Sequence, residues 1–184
     1  MFRFVLIAVF SIACGAAAWA APQDARLDRL FLQLREARGQ GEIAALMTQI
    51  ASHWAVSGSD TVDLLMARAA EANEKGAPDI ALDLLDRIVL LAPDYAEAWR
   101  RRGALQAQEG NGEDAIGDLR EALKLEPRHF GALNEIAKIL EASGDARGAS
   151  EALRRLSELI PFAEGLRQRL LKLEEAAKAQ RDPI

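Results

Sequence analysis

The sequence predicts an all-α chain built of antiparallel helix pairs. Three observations carry that expectation. At an offset of 34 residues, Gly76, Gly110 and Gly144 fall in register, as do Ala81, Ala115 and Ala149, and Pro93, Pro127 and Pro161. Ala69, Gly103 and Ala137 share a further register. The chain is 50% apolar but only 5% aromatic, with Ala and Leu dominant, a balance that favours helix over strand. Glycine and proline punctuate the apolar runs where helices stop and turn.

Residues 1–20 read as a secretory signal. Arg3 supplies a positive start, Phe4 to Ala13 is almost wholly apolar, and Ala18-Trp19-Ala20 places small residues before a cut at Ala21. The apolar run is short for a membrane span, which needs about 20 residues. The alanine-rich cut site looks bacterial, so the expected destination is the periplasm. Two alternatives stay open: a retained anchor facing the periplasm, and a lipoprotein acylated on Cys14. Cys14 is the sole cysteine, so cleavage leaves a mature chain without thiol chemistry or cysteine-held metal.

Residues 21–61 predict a helical hairpin off the 34-residue register, an N-terminal cap or a degenerate repeat. Leu27, Leu30, Phe31, Leu34 and Ala37 mark its first helix; Ile43, Leu46, Met47, Ile50 and Trp54 mark its second. Gly39-Gln40-Gly41 turns between them, and Ser57-Gly58-Ser59-Asp60 breaks the hairpin from the first repeating unit.

Residues 62–163 divide into three units, 62–95, 96–129 and 130–163. Within each unit two helices approach closely only where side chains are small. That role falls to Ala69, Gly103 and Ala137 on the first helices and Ala81, Ala115 and Ala149 on the second. Gly76, Gly110 and Gly144 suit the left-handed residue that ends a helix. Pro78 suits a first helical turn, and Asn111, Asp145 and Asp94 suit N-caps. Pro93, Pro127 and Pro161 stop the second helices. Residues 164–184 predict a capping helix and tail, with Leu166, Leu170 and Leu173 inward and charges outward.

A 34-residue helix–turn–helix period resembles the tetratricopeptide repeat. The middle unit resembles it most, with Trp99, Gly103, Ala115, Leu119 and Pro127 at signature places, while Arg102 and Gln106 stand where Leu and Tyr are usual. The resemblance implies a right-handed α-solenoid of about nine helices and no sheet. It also implies a concave groove lined by the first helices, at places 2, 5, 9, 12 and 13 of each unit. Those places hold Asp63, Met66, Ala70, Asn73 and Glu74, then Glu97, Arg100, Ala104, Ala107 and Gln108, then Gly131, Asn134, Lys138, Glu141 and Ala142. Arg100 and Lys138 suit a carboxylate; Asn73 and Asn134 suit an extended peptide backbone. The carboxylate clamp of chaperone-binding members is absent as normally spaced, because Met66 and Ala70 replace its Lys and Asn.

The chemistry of the remaining residues points away from catalysis. With 23 basic and 28 acidic residues the chain lacks the basic footprint of a nucleic-acid binder. His53 and His129 are far apart and lack metal-ligand spacing. The glycine pairs are not followed by the Lys-Ser or Lys-Thr of a phosphate loop. Glu and Asp are expected on solvated helix faces. Arg102 is expected to bury its stem and keep its head wet. The expectation is a non-catalytic exported adaptor that takes a protein or peptide, without cofactor or metal. A structural envelope component is the alternative. Membrane contact requires a retained or lipidated N-terminus, and self-association through the end faces stays open.

Overall fold

The computed structural model describes residues 25–181. The signal expected over 1–20, Cys14 and the tail 182–184 lie outside the described residues. Within them the chain forms nine helices and no strand: α1 (Ala25–Glu36), α2 (Gln40–Trp54), α3 (Asp60–Glu74), α4 (Pro78–Leu91), α5 (Ala96–Gln108), α6 (Gly112–Leu125), α7 (Phe130–Ala142), α8 (Ala146–Leu159) and α9 (Leu166–Arg181).

The three units are the hairpins α3–α4, α5–α6 and α7–α8. Each turns at its glycine, with φ of +74° at Gly76, +86° at Gly110 and +81° at Gly144, where a side chain would be strained. Pro78 opens α4 at its first turn. Asp145 caps α8 by accepting from the Gly148 amide at 2.9 Å. Asn111 holds the cap position of α6 without a side-chain bond. Asp94 is not a cap. The connection after α4 tightens into a turn closed by the Tyr95 amide on the Ala92 carbonyl, which puts Tyr95 at the cap position of α5.

Small residues set the spacing inside each hairpin. A Cβ built on Gly103 would lie 2.9 Å from the Ala115 carbonyl oxygen and 3.0 Å from Leu119. Ala81, Ala115 and Ala149 are fully buried. Leu119 and Leu153, four residues further along the same helices, are fully buried too.

The core has two parts. One joins Val62, Met66, Leu85, Ile88, Val89 and Tyr95 of the first unit to Ala98 and Leu105 of the second. The other joins Leu119, Leu133, Ile136, Leu153, Leu156 and Ile160 to the α1–α2 hairpin and Leu166 of α9. The N-terminal hairpin therefore shares its core with the third unit and not with its sequence neighbour. The inward faces Leu27, Leu30, Phe31 and Leu34 of α1 and Ile43, Leu46, Ile50 and Trp54 of α2 close over that second core.

Polar contacts hold the hairpin there. Arg128 Nη1 donates to Asp28 at 2.6 Å while its guanidinium lies over the Phe31 ring. The Gln40 side-chain amide donates to the Phe162 carbonyl at 2.8 Å and accepts from the Glu164 amide at 3.0 Å. The Tyr95 hydroxyl donates to the Ala55 carbonyl at 2.9 Å. The hairpin thus runs along the edge of the array where second helices return into first helices, and does not cap the open end of the first unit. Aromatic rings and free backbone groups at 128–130 and 162–164 give it partners there.

Candidate functional site

The groove candidates are distributed over α3, α5 and α7, and the chain itself occupies many of them. Asp63 accepts from the Ser57 hydroxyl at 2.6 Å and the Ser57 amide at 2.9 Å. Those two bonds, the hydroxyl first, hold its carboxyl below the usual range. Met66 is buried in the first core and presents no surface to a partner. Asn134 and Glu141 are taken by Arg169 of α9: its Nη1 donates to Asn134 at 2.9 Å and its Nε to Glu141 at 2.7 Å. Lys138 pairs with Glu135 at 2.9 Å.

At the centre, Glu97 is buried instead of solvated. Arg100 grips it with two bonds of 2.7 Å, Arg101 Nε adds a third at 2.7 Å, and His129 Nε2 lies 3.2 Å away. Burial alone would raise the carboxyl, but the bonds from Arg100, His129 and Arg101 and the charge of Arg100 hold it well below the carboxylate range. Glu97 is therefore an acceptor only, so Nε2 of His129 carries the proton. Burial, with the Glu97 charge, pushes the neighbouring Tyr95 phenol up to about 12.

Asp118 is the second buried carboxylate. Arg102 binds it through Nε at 2.7 Å and Nη2 at 2.6 Å, and reaches Asp86 of α4 at 2.8 Å. The expected wet head of Arg102 is instead paired and mostly covered, its guanidinium lying over the Trp99 ring. A carboxylate at hand outweighs exposure to water when both oxygens are reached.

A cavity of about 560 Å³ lies beside Phe130, Gly131, Asn134 and Arg169, and a smaller cleft of about 260 Å³ stays open between α3 and α5. Its floor is small, with Ala70 and Ala104, and its walls carry Asn73, Glu74, Arg100, Arg101 and Gln108. Arg101 is a groove residue that the repeat places do not include; its signal in the sequence is the run Arg100-Arg101-Arg102. Arg169 lies outside those places too, and nothing in the period points to it. Among the described residues no group of three or more His, Cys, Asp and Glu is placed to hold a metal. No described helix is long and apolar enough to cross a membrane.

A family model for the tetratricopeptide repeat matches residues 106–171. A TPR repeat-containing protein of Rhizobium etli is 37% identical over 156 residues, covering 85% of this chain and 76% of that protein. The chain belongs to the tetratricopeptide repeat family. Two solved structures show the same fold. The first TPR domain of Spaghetti, bound to an HSP90 peptide, matches with a TM-score of 0.59 at 18% identity, over 64% of this chain and 93% of that one. The Yersinia enterocolitica type III secretion chaperone SycD, in complex with a peptide of the translocator YopD, matches with a TM-score of 0.56 at 18% identity, over 67% and 94%. The nine described helices of this tetratricopeptide repeat protein form an α-solenoid in which part of the groove is filled from within.

Proposed function

We propose that this tetratricopeptide repeat protein is a non-catalytic, exported adaptor that binds an extended peptide or protein segment in the cleft between α3 and α5. One observation carries the reading: Asn73 and Gln108 stay accessible over a small-residue floor, while Asn134 and Glu141 of the third unit are tied down by Arg169. Amides at the rim suit a peptide backbone. Arg100 and Arg101 share the carboxylate of Glu97, and Glu74 stands in the same wall, so the cleft carries both signs of charge beside its amides. Spaghetti and SycD, which share the fold, are both peptide-bound in their structures. The export signal read over residues 1–20 supports a periplasmic site of action.

Photo-crosslinking in the native envelope tests this. The crosslinker replaces Asn73 or Gln108, with exposed Arg120 of α6 as the control. One discrete protein trapped at both cleft positions and absent at Arg120 is expected. Equal trapping at all three, or none in the cleft, refutes the reading. Intact mass of the purified chain, expected to begin at Ala21 without lipid, tests export.

A further inference from the structure

The open end of the first unit is apolar, and no described element covers it. Leu64 on α3 is 53% exposed, whereas Ala98 and Ala132, its counterparts in the next two units, are fully buried by the unit before them. Leu84 on α4 is half-buried, while its counterparts Asp118 and Ala152 are each only 6% exposed. Ile80 and Leu91 on α4 are 57% and 63% exposed. Ile80, Leu84, Arg87 and Leu91 fall at i, i+4, i+7 and i+11, one stripe of the helix. In the second and third units a preceding helix pair covers this face. In the first, no described helix pair covers it, because α1–α2 docks elsewhere.

We propose that this face binds the same face of a second copy, giving a two-fold homodimer through α3 and α4. The charges around the stripe favour this occupant. Arg68, Asp83 and Arg87 make no ion pair among the described residues. In an antiparallel α4–α4 contact centred near residue 85, Asp83 of each copy comes opposite Arg87 of the other. Ile80 then comes opposite the Leu90–Leu91 end. The sequence is thus self-complementary in the sense that a two-fold contact demands, residue i meeting j and j meeting i. A head-to-tail contact is disfavoured. The outer side of α9 offers Arg167, Gln168, Lys172 and Glu175 around a single exposed Leu171, and would set charges against leucines. The dimer face is separate from the α3–α5 cleft, so the inference stands or falls independently of peptide binding.

The test is sedimentation equilibrium of the purified full chain and, in parallel, of the chain beginning at Ala21. A reversible dimer is expected in both. Ile80→Glu raises the dissociation constant at least about 100-fold, because the two-fold axis counts the substitution twice. Asp83→Arg and Arg87→Asp each weaken the dimer about tenfold, and the double variant returns to within about threefold of the native value. That rescue excludes misfolding as the cause. A monomer at every concentration overturns the proposal, as does a dimer indifferent to Ile80→Glu. A full chain that stays monomeric until residues 1–20 are removed assigns the face to that segment and also overturns it.

Discussion

Trp54 at the end of α2 stacks on His129 at the α6–α7 junction, with ring centroids 4.2 Å apart and planes 27° apart. Phe31 and Phe130 close around the indole at 5.9 and 4.9 Å. This aromatic knot joins the N-terminal hairpin to the third unit. Trp54→Ala is expected to cost about 3–5 kcal/mol, the range for emptying a large aromatic from a core. Thermal unfolding reads the loss as a lower Tm. Limited proteolysis of the native state should then find faster cutting at the 55–59 linker. A Tm equal to the native one would show that the hairpin is not held through this ring.

The buried Glu97 gives the fold an acid-sensitive joint. Its carboxyl is depressed in the folded chain by Arg100, His129 and Arg101 against the opposing effect of burial. A depressed carboxyl contributes stability that is complete above the unfolded value, about 4.5, and is lost as pH falls towards the folded one. Unfolding free energy of the native chain should therefore drop steeply below about pH 4.5. Glu97→Gln should cost about 3 kcal/mol at neutral pH, since Arg100 and Arg101 keep their charges without a counter-ion. Its profile should also be flatter on the acid side. Urea titrations from pH 7 downward measure both. Parallel slopes for the two proteins would remove Glu97 from the acid response.

The repeat was legible because its marks are local. A positive φ selects glycine at 76, 110 and 144, and a close helix approach selects Ala or Gly at 69, 103 and 137, whatever lies elsewhere in the chain. The hairpin's place was not legible. Its decisive contacts, Asp28 with Arg128 and Gln40 with Phe162, span 100 and 122 residues and leave no period to read. The groove suffered for the same reason. Glu97, Asn134 and Glu141 look solvated on their own helices, but His129 reaches Glu97 and Arg169 of α9 takes Asn134 and Glu141. Asp94 failed as a cap by one residue, because the turn at 92–95 moved the helix start past it.

Two glycines inside helices should respond to alanine in opposite directions. Gly117 in α6 has nothing within 4 Å of a built Cβ. Gly117→Ala should stabilise the chain by about 0.5–1 kcal/mol through helix propensity alone. Gly103 in α5 gains the same propensity, but its Cβ would press on the Ala115 backbone oxygen at 2.9 Å and force α5 and α6 apart. Overpacking of this kind costs about 1–3 kcal/mol, so the clash outweighs the gain. Gly103→Ala should lower the urea midpoint and Gly117→Ala should raise it. A rise in both would mean that the α5–α6 contact yields freely.

Arg102 and Asp118 replace, in the middle unit, what is apolar in the third. Their counterparts there are Ile136 and Ala152, both buried. Asp118 is 6% exposed in the native chain, and Arg102→Ile alone takes away its two bonds from the guanidinium. Breaking a buried pair in this way costs about 3–5 kcal/mol. The second ion pair of Arg102, with Asp86, adds little to that figure, because Asp86 is largely exposed. Replacing both partners by the residues of the third unit removes the stranded charge. Arg102→Ile with Asp118→Ala should therefore recover most of the loss and fall within about 1 kcal/mol of the native stability. The double-mutant cycle, measured by urea unfolding, should give a coupling of at least about 2 kcal/mol. A coupling near zero would mean that water reaches Asp118 once the arginine is gone, and that the middle unit does not need this pair to exclude it.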